Sequence, residues 1–216
     1  MLSDILRWGG KRPDPSANAD EAAPRGEEPL VPSKALPKFL SALSNQDSPV
    51  LMDFGPVIGA NVAFFGERLG CKLFIEDLFA DYERHARAGT RANLPALLET
   101  RFRHADASVD GILCWDFFDF LDKPGAQTLA KQVARMLKPG GAVMGFFCTA
   151  SSERAQFTKY EVVDETALRH RHHQGLGGAK QVLLNRDIIK MFDGLIVSDS
   201  FLLKSSTREI LLRKKG

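Results

Sequence analysis

Two short segments in the first half of the chain carry acids and glycines of the kind that a nucleoside site needs. The first is Asp53-Phe54-Gly55-Pro56-Val57-Ile58-Gly59-Ala60-Asn61, directly after an apolar run. Gly55 and Gly59 allow the backbone to turn sharply and to approach a ligand closely. The second segment, Glu76-Asp77, ends another apolar run roughly 20 residues further on, near the spacing at which an acid meets the ribose hydroxyls of an adenine nucleotide. Together they predict nucleoside binding.

A third candidate follows the next apolar run, where Trp115 and Asp116 come directly after Cys114. Asp116 could orient an acceptor or act as a base, and Trp115 could form a wall of the site. The alternative is that the aromatic residues pack under the next helix and that Asp116 or Asp119 caps it, as acids often do. Both interpretations stay open for Asp116, the one catalytic candidate that the sequence offers.

These candidates need a scaffold that brings them to one edge. Apolar runs without polar alternation predict buried parallel strands at residues 50–55, 71–75, 111–115 and 142–147, with helices between them. Residues 78–102 read as helical and irregular, and the last third predicts a helix at 185–192 and a hairpin of strands at 195–203 and 208–213. We therefore expect an α/β, doubly wound, mostly parallel sheet with a C-terminal antiparallel hairpin and ligands beyond the carboxyl ends of the strands.

The same segments resemble a known family. Asp53-x-Gly55-x-Val57-x-Gly59 is similar to the acid-Gly-x-Gly-x-Gly loop of the class I, Rossmann-like S-adenosylmethionine-dependent methyltransferases, and Glu76 resembles their ribose-binding acid. Val109-Asp-Gly-Ile-Leu113 and Leu137-Lys-Pro-Gly-Gly141 resemble the runs that open their fourth and fifth strands. The resemblance implies a seven-stranded sheet, S-adenosylmethionine as the cofactor and a small-molecule methyl acceptor.

The resemblance also implies which residues contact the donor. They are Asp53, Gly55, Pro56, Gly59, Asn61, Glu76, Asp77, Trp115 and Asp116. For the two neighbouring acids an alternative stays open, in which Glu76 caps the following segment and Asp77 faces the ribose.

Val57 stands where the family has its middle glycine. A pyrophosphate needs backbone contact along the whole loop, so this change favours the phosphate-free methyl donor over NAD. The same change favours an alternative function, a non-catalytic binding or interaction protein with a degenerate cofactor loop.

Three histidines, His170, His172 and His173, lie in a segment rich in Arg, Lys and Gly. Basic neighbours oppose a bound cation, and no acid or cysteine stands at ligand spacing. The segment therefore predicts a solvated loop, and we expect no metal.

The composition predicts one globular domain, because 44% of the 216 residues are hydrophobic and 26% are charged. Residues 9–32 are rich in Pro, Gly and Ala without apolar periodicity, so we expect a flexible leader at 1–32 and a methyltransferase-like domain at 33–216. A net charge of +2 gives no argument for nucleic acid as a partner. No signal peptide or bilayer-length apolar stretch is present, and the three cysteines are far apart, which favours the cytoplasm.

Overall fold

The computed structural model describes residue 28 and residues 30–44, 47–172 and 178–216. In chain order its strands are β1 (Leu30–Pro32), β2 (Val50–Asp53), β3 (Lys72–Ile75), β4 (Val109–Trp115), β5 (Leu137–Cys148), β6 (Ser152–Ala155), β7 (Thr158–Val162), β8 (Ala167–His172), β9 (Gly178–Lys180), β10 (Leu195–Leu202) and β11 (Thr207–Lys214). Its helices are α1 (Ala35–Leu43), α2 (Gly59–Val62, continued by a π-helical turn Ala63–Arg68), α3 (Leu78–Arg87), α4 (Leu94–Thr100), α5 (Lys123–Met136) and α6 (Asn185–Met191).

The main sheet has the strand order β10-β11-β5-β4-β2-β3. Strands β3, β2, β4 and β5 pair in parallel, whereas β11 pairs antiparallel with both β5 and β10. From β2 the chain passes outward to β3 and then returns to β4 on the other side of β2. This reversal of direction creates the crevice in which open α/β sheets bind ligands, beyond the carboxyl ends of β2 and β4.

The main sheet holds six strands in the described part of the chain, so the expectation of seven strands is wrong. The chain forms α3 and α4 after β3, and then an irregular segment at residues 101–108. This segment contacts β3 through side chains, since the His104 ring packs edge-to-face on Phe74 with ring centroids 4.7 Å apart. Residues 101–108 contain no β-branched residue, and such residues favour strands, which explains why no ladder forms at this edge.

Two hydrophobic clusters cover the two faces of the main sheet. Neighbouring strand residues alternate between them, so that Leu51 packs with α1 while Met52 packs with α3, α4 and α5. In β4 the alternation continues, with Leu113 on the α1 side and Ile112 on the other. The apolar runs lack polar alternation because both faces of the sheet are buried.

Helix α1 is fixed to the sheet through a buried acid of β11. The Glu209 Oε2 atom accepts hydrogen bonds from the backbone N–H groups of Lys34 and Ala35, at 2.8 and 3.0 Å. Ser33 Oγ accepts from the Leu36 N–H at 3.0 Å, as an N-terminal cap does. These three N–H groups have no partner within the helix, and the carboxylate also complements the positive end of its dipole.

Strands β1, β8 and β7 form a second sheet, in that order. Leu30–Pro32, which fall in the segment expected to be a leader, pair antiparallel with β8, so ordered structure begins before Ser33. Most of the expected leader lies outside the described residues. The expectation of a solvated histidine loop is wrong at His170 and His172, which belong to β8, while His173 lies outside the described residues. None of the helices that the structure describes is long and apolar enough to cross a bilayer.

Candidate functional site

The carboxyl end of β2 places one buried acid at the crevice. Asp53 is 1% exposed, and its Oδ1 atom accepts hydrogen bonds from the Gly55 N–H at 2.8 Å and the Trp115 indole N–H at 2.5 Å. Burial raises the pKa of Asp53 to about 6; the two N–H donors lower it in part, and the nearby Asp77 raises it further. The carboxylate is therefore a strong acceptor in a site of low polarity.

Trp115, at the end of β4, turns its indole ring onto this acid. Its φ of 48° lies in the left-handed region, which is costly for a bulky residue. The pairing of β4 with β5 shifts register between Leu113 and Trp115, and such bulges re-aim side chains. A Cβ on Gly55 would lie 2.8 Å from the indole ring, so Gly55 is needed for this close approach. The glycine thus admits the protein's own tryptophan.

Two further rings complete an aromatic cluster of Trp115, Tyr160 and Phe146. The Tyr160 ring lies parallel to the indole, with centroids 5.1 Å apart, and the Phe146 ring lies 4.7 Å from Tyr160 at an interplanar angle of 10°. All three side chains are buried. The cluster reaches Asp53 through the indole of Trp115.

Asn61 joins the loop after β2 to strand β7. Its side-chain amide donates to the Tyr160 carbonyl at 2.9 Å and accepts from the Val162 N–H at 2.8 Å. This buried side chain pairs with one edge of β7 as a neighbouring strand would. Asn61, which the sequence predicts to contact a donor, thus fixes the loop after β2 to the backbone of β7.

Glu76 lies at the end of β3, as expected, but an arginine holds it. Arg101 Nη1 is 2.5 Å from Glu76 Oε2, and the same guanidinium donates to Asp81 Oδ2 at 2.9 Å through Nε. Arg101 Nη2 also donates to the Glu76 carbonyl at 2.8 Å. Any ligand hydroxyl would share this carboxylate with Arg101.

The neighbouring Asp77 is the residue that caps. Its Oδ1 atom accepts from the Ala80 N–H at 3.1 Å at the start of α3, and its own φ is 36°. The alternative assignment for these two acids, with Glu76 as the cap, is therefore wrong in its capping part. Asp77 also borders a cavity of about 180 Å³ between Pro56, α3 and Phe157. Ligand pockets commonly measure about 300–1,000 Å³, so this cavity is small for a nucleoside.

Pro56 is half-buried, whereas Gly59 is exposed. A Cβ on Gly59 would meet no atom within 4 Å, so the structure gives no steric reason for glycine there. Gly59 is the first residue of α2 and is exposed, as is Val57. The outer half of the loop therefore faces away from Asp53, while Gly55 lies against it.

Asp116 follows Trp115 and enters a second cluster of charges. Lys180 Nζ lies 2.7 Å from Asp116 Oδ2 and 3.8 Å from Asp119 Oδ2. Burial raises the pKa of Asp116, and the ammonium of Lys180 offsets this in part. Neither acid caps α5, because Asp122 Oδ1 accepts from the Gly125 N–H at 2.9 Å at the start of that helix. The alternative in which Asp116 or Asp119 caps the next helix is therefore wrong for α5.

Four residues at these clusters carry no local sequence signal for the side-chain contacts that they make. They are Arg101, Asp119, Tyr160 and Lys180. Each meets its partner across a long stretch of chain, as Lys180 does at a separation of 64 residues from Asp116. A run of alternating or periodic residues cannot reveal such a partner.

The sheet order, the parallel strands and the crevice at β2 and β4 decide the fold. The chain has an α/β Rossmann-like fold. No protein-family model and no curated protein matches its sequence.

Several solved structures are similar to this Rossmann-like chain. A SAM-dependent methyltransferase from Methanosarcina mazei is 14% identical, with 85% of this chain and 98% of that chain covered and a TM-score of 0.49. One from Clostridium acetobutylicum is 13% identical, with 83% and 92% covered and a TM-score of 0.48. The 1,6-didemethyltoxoflavin-N1-methyltransferase of Burkholderia thailandensis, with bound S-adenosylhomocysteine, is 16% identical, with 85% and 78% covered and a TM-score of 0.49.

The residues of the crevice match a sulfonium donor in chemistry but leave it little room in this conformation. The Asp53 carboxylate is suited to an ammonium group, and Glu76 could accept from a ribose hydroxyl. The indole of Trp115 fills the approach to Gly55 that a ligand would use. Binding would therefore require the Trp115 side chain to turn away from Asp53.

Proposed function

We propose that this protein is a cytoplasmic S-adenosylmethionine-dependent methyltransferase that acts on a small molecule. The observation that carries the proposal is the buried Asp53 carboxylate beside Gly55, at the carboxyl ends of the paired strands β2 and β4, where the strand order reverses. Ligands of doubly wound sheets bind at this point. The Asp53 carboxylate offers a buried anion to the ammonium group of the donor.

In the proposed complex, the donor takes the place of the Trp115 indole. Its ammonium group replaces the indole N–H as the partner of Asp53 Oδ1, and Gly55 lies against it. Glu76 accepts hydrogen bonds from the ribose once it shares its carboxylate between the ribose and Arg101. Bound S-adenosylmethionine would supply an electrophilic methyl group, and this chain's residues would orient it and exclude water.

Calorimetric titration of the full chain with S-adenosylmethionine, S-adenosylhomocysteine and NAD tests the proposal. We expect both adenosyl sulfur compounds to bind and NAD not to bind, because the Val57-containing loop gives little backbone contact for a pyrophosphate. A ligand that binds the native state also raises the melting temperature. No binding of either sulfur compound would contradict the proposal, and binding of NAD alone would indicate a dinucleotide site instead.

A second candidate function is that of a non-catalytic protein on the same fold. The parallel packing of Trp115, Tyr160 and Phe146 beside Asp53 favours it, because a well-packed aromatic cluster can serve stability alone. The two candidates differ in Trp115→Ala, which removes the ring from the crevice. A folded Trp115→Ala protein that binds no adenosyl ligand would support the non-catalytic function.

A further inference from the structure

The cluster of Asp116, Asp119 and Lys180 is not used by the proposed donor site. Both carboxylate side chains are 1% exposed, and the Lys180 side chain is 17% exposed. The Lys180 Nζ atom lies 5.1 Å from the centroid of the Phe120 ring. Two carboxylates and an aromatic face thus surround one ammonium group, an arrangement that suits alkylammonium ions. We call Asp116, Asp119 and Phe120 the ammonium box.

The box has more acceptor capacity than Lys180 uses. The Oδ1 atoms of Asp116 and Asp119 are buried and accept no hydrogen bond of normal geometry in the described ranges, although the Tyr160 hydroxyl lies near Asp116 and lowers its pKa. Asp119 Oδ2 already accepts from the Cys148 N–H at 2.9 Å. Unpartnered buried carboxylate oxygens are costly, and two buried acids facing one cation leave an excess of negative charge. A ligand ammonium in the place of Lys180 could therefore donate to carboxylate oxygens that the lysine leaves without a partner.

Burial raises the pKa of Asp119 to about 7; Lys180 lowers it in part, and Asp116 raises it again. Burial lowers the pKa of Lys180, but the two carboxylates raise it by more, so the lysine stays charged at neutral pH. Near neutrality, Asp119 can thus both accept and release a proton, as a general base must.

The position of the box relates it to the crevice. Asp116 directly follows Trp115, whose indole binds Asp53, so one peptide bond joins the box to the donor loop. Lys180 arrives on the three-residue strand β9, and the Gln181 N–H donates to the Asp119 carbonyl at 2.8 Å. The Lys180 side chain, carried by the short strand β9, thus fills the ammonium box.

We infer that the ammonium box binds the methyl acceptor and that this acceptor is an amine, with the Lys180 ammonium holding its place in the present conformation. This inference rests on the proposed function. The bound ammonium group first passes one proton to the carboxylate of Asp119, which leaves a neutral amine with a lone pair. The amine nitrogen then forms a bond to the methyl carbon, the methyl–sulfur bond breaks with its electron pair left on sulfur, and the product is a methylated ammonium ion.

The box can be tested without any donor. Lys180→Ala empties it, and ethylammonium or propylammonium chloride should then raise the melting temperature by about 3 °C over sodium chloride at the same ionic strength. The matched control is Lys138→Ala, which breaks a comparable pair, with Lys138 Nζ 2.8 Å from Asp110 Oδ2, in a different cluster. Lys138→Ala should show no such rise, and Asp116→Asn added to Lys180→Ala should abolish it. Equal rescue by 1-propanol, equal rescue of Lys138→Ala, or no rescue in folded Lys180→Ala overturns the box.

The acceptor class is tested in the wild-type protein, which does not depend on a variant folding. Donor labelled in its methyl group is incubated with a panel of small amines, alcohols and carboxylates, and donor binding is measured separately by calorimetry. Label that enters amines alone supports the inference. If the donor binds but label enters the alcohols or carboxylates, or none of the panel, the inference is overturned. If the donor does not bind, the proposed function fails, while the rescue experiment still decides whether the ammonium box exists.

Discussion

The Trp115 indole N–H donates to Asp53 Oδ1 over 2.5 Å, joining the ends of β4 and β2. The bond places an aromatic side chain where the crevice of a Rossmann-like sheet opens. A ligand that needs Asp53 must compete with this bond. Its apparent affinity is therefore the intrinsic affinity multiplied by the fraction of molecules in which Trp115 has turned away. The ring also makes the donor site observable, because the chain contains two tryptophans, Trp8 and Trp115.

Replacing Trp115 should therefore strengthen donor binding. Trp115→Phe keeps a ring but removes the N–H group. We expect this variant to bind S-adenosylmethionine on the order of threefold to tenfold more tightly in calorimetry. A hydrogen bond to a charged group contributes about 1.5–3 kcal/mol, and only part of that free energy opposes binding. The free energy of unfolding should fall by about 1–3 kcal/mol in the same variant. Weaker donor binding in folded Trp115→Phe would contradict the competition. In a Trp8→Phe background, the donor should also change the fluorescence of Trp115.

Asp53 should make the protein less stable as the pH rises. Its pKa is raised from 3.8 to about 6, so between these values the folded state binds more protons than the unfolded state. Stability then falls as pH increases through this window, by up to about 3 kcal/mol from this group. We expect Asp53→Asn to remove this part of the pH dependence, measured as the difference between wild-type and variant urea unfolding from pH 4 to 8. A constant difference across that range would show that the Asp53 pKa is not raised.

Glu76 should contribute to donor binding, and Arg101 should oppose it. Glu76→Ala is expected to weaken calorimetric binding of S-adenosylmethionine on the order of tenfold to a hundredfold, because charged hydrogen bonds contribute about 1.5–3 kcal/mol. Arg101→Met should strengthen binding severalfold by releasing the Glu76 carboxylate. In the double variant the Arg101 change should have no further effect. Arg87→Met, which breaks the exposed pair with Glu83 on α3, is the matched control.

The same titration separates the two neighbouring acids. Asp77→Ala should cost about 1 kcal/mol of stability through loss of the cap on α3 and leave donor affinity nearly unchanged. A larger loss of affinity in Asp77→Ala than in Glu76→Ala would transfer the ribose contact to Asp77.

Asn61 should couple the loop after β2 to strand β7. Asn61→Ala leaves the Tyr160 carbonyl and the Val162 N–H buried without their partner, at a cost of about 1–3 kcal/mol for each group. We expect a loss of about 2–4 kcal/mol in urea unfolding and faster hydrogen exchange at the Val162 amide. Asn61→Asp can still accept from the Val162 N–H but cannot donate to the Tyr160 carbonyl. Its free energy of unfolding should therefore lie between those of the wild type and Asn61→Ala. Unchanged exchange at Val162 in Asn61→Ala would contradict this coupling.

Local sequence patterns predicted the α/β alternation, the strand that ends at Asp53, the strand that ends just before Glu76, and the placement of Gly55 at the turn. These features follow from local patterns, because a strand buried on both faces must be a continuous apolar run, and a glycine permits close backbone approach. The irregular stretch after β3 was also visible in the sequence, and it is where the expected seventh strand fails to form.

Tertiary structure alone decided what each of these acids binds. Asp53 meets Trp115 at a separation of 62 residues, Glu76 meets Arg101 at 25, and Asn61 meets Tyr160 at 99. The packing of elements that are distant in sequence determines which side chain pairs with a buried charge. Local periodicity cannot predict that pairing. The sequence therefore predicts where the crevice lies. Only the folded chain shows that Trp115 binds Asp53, that Tyr160 packs on Trp115 and that Lys180 binds Asp116.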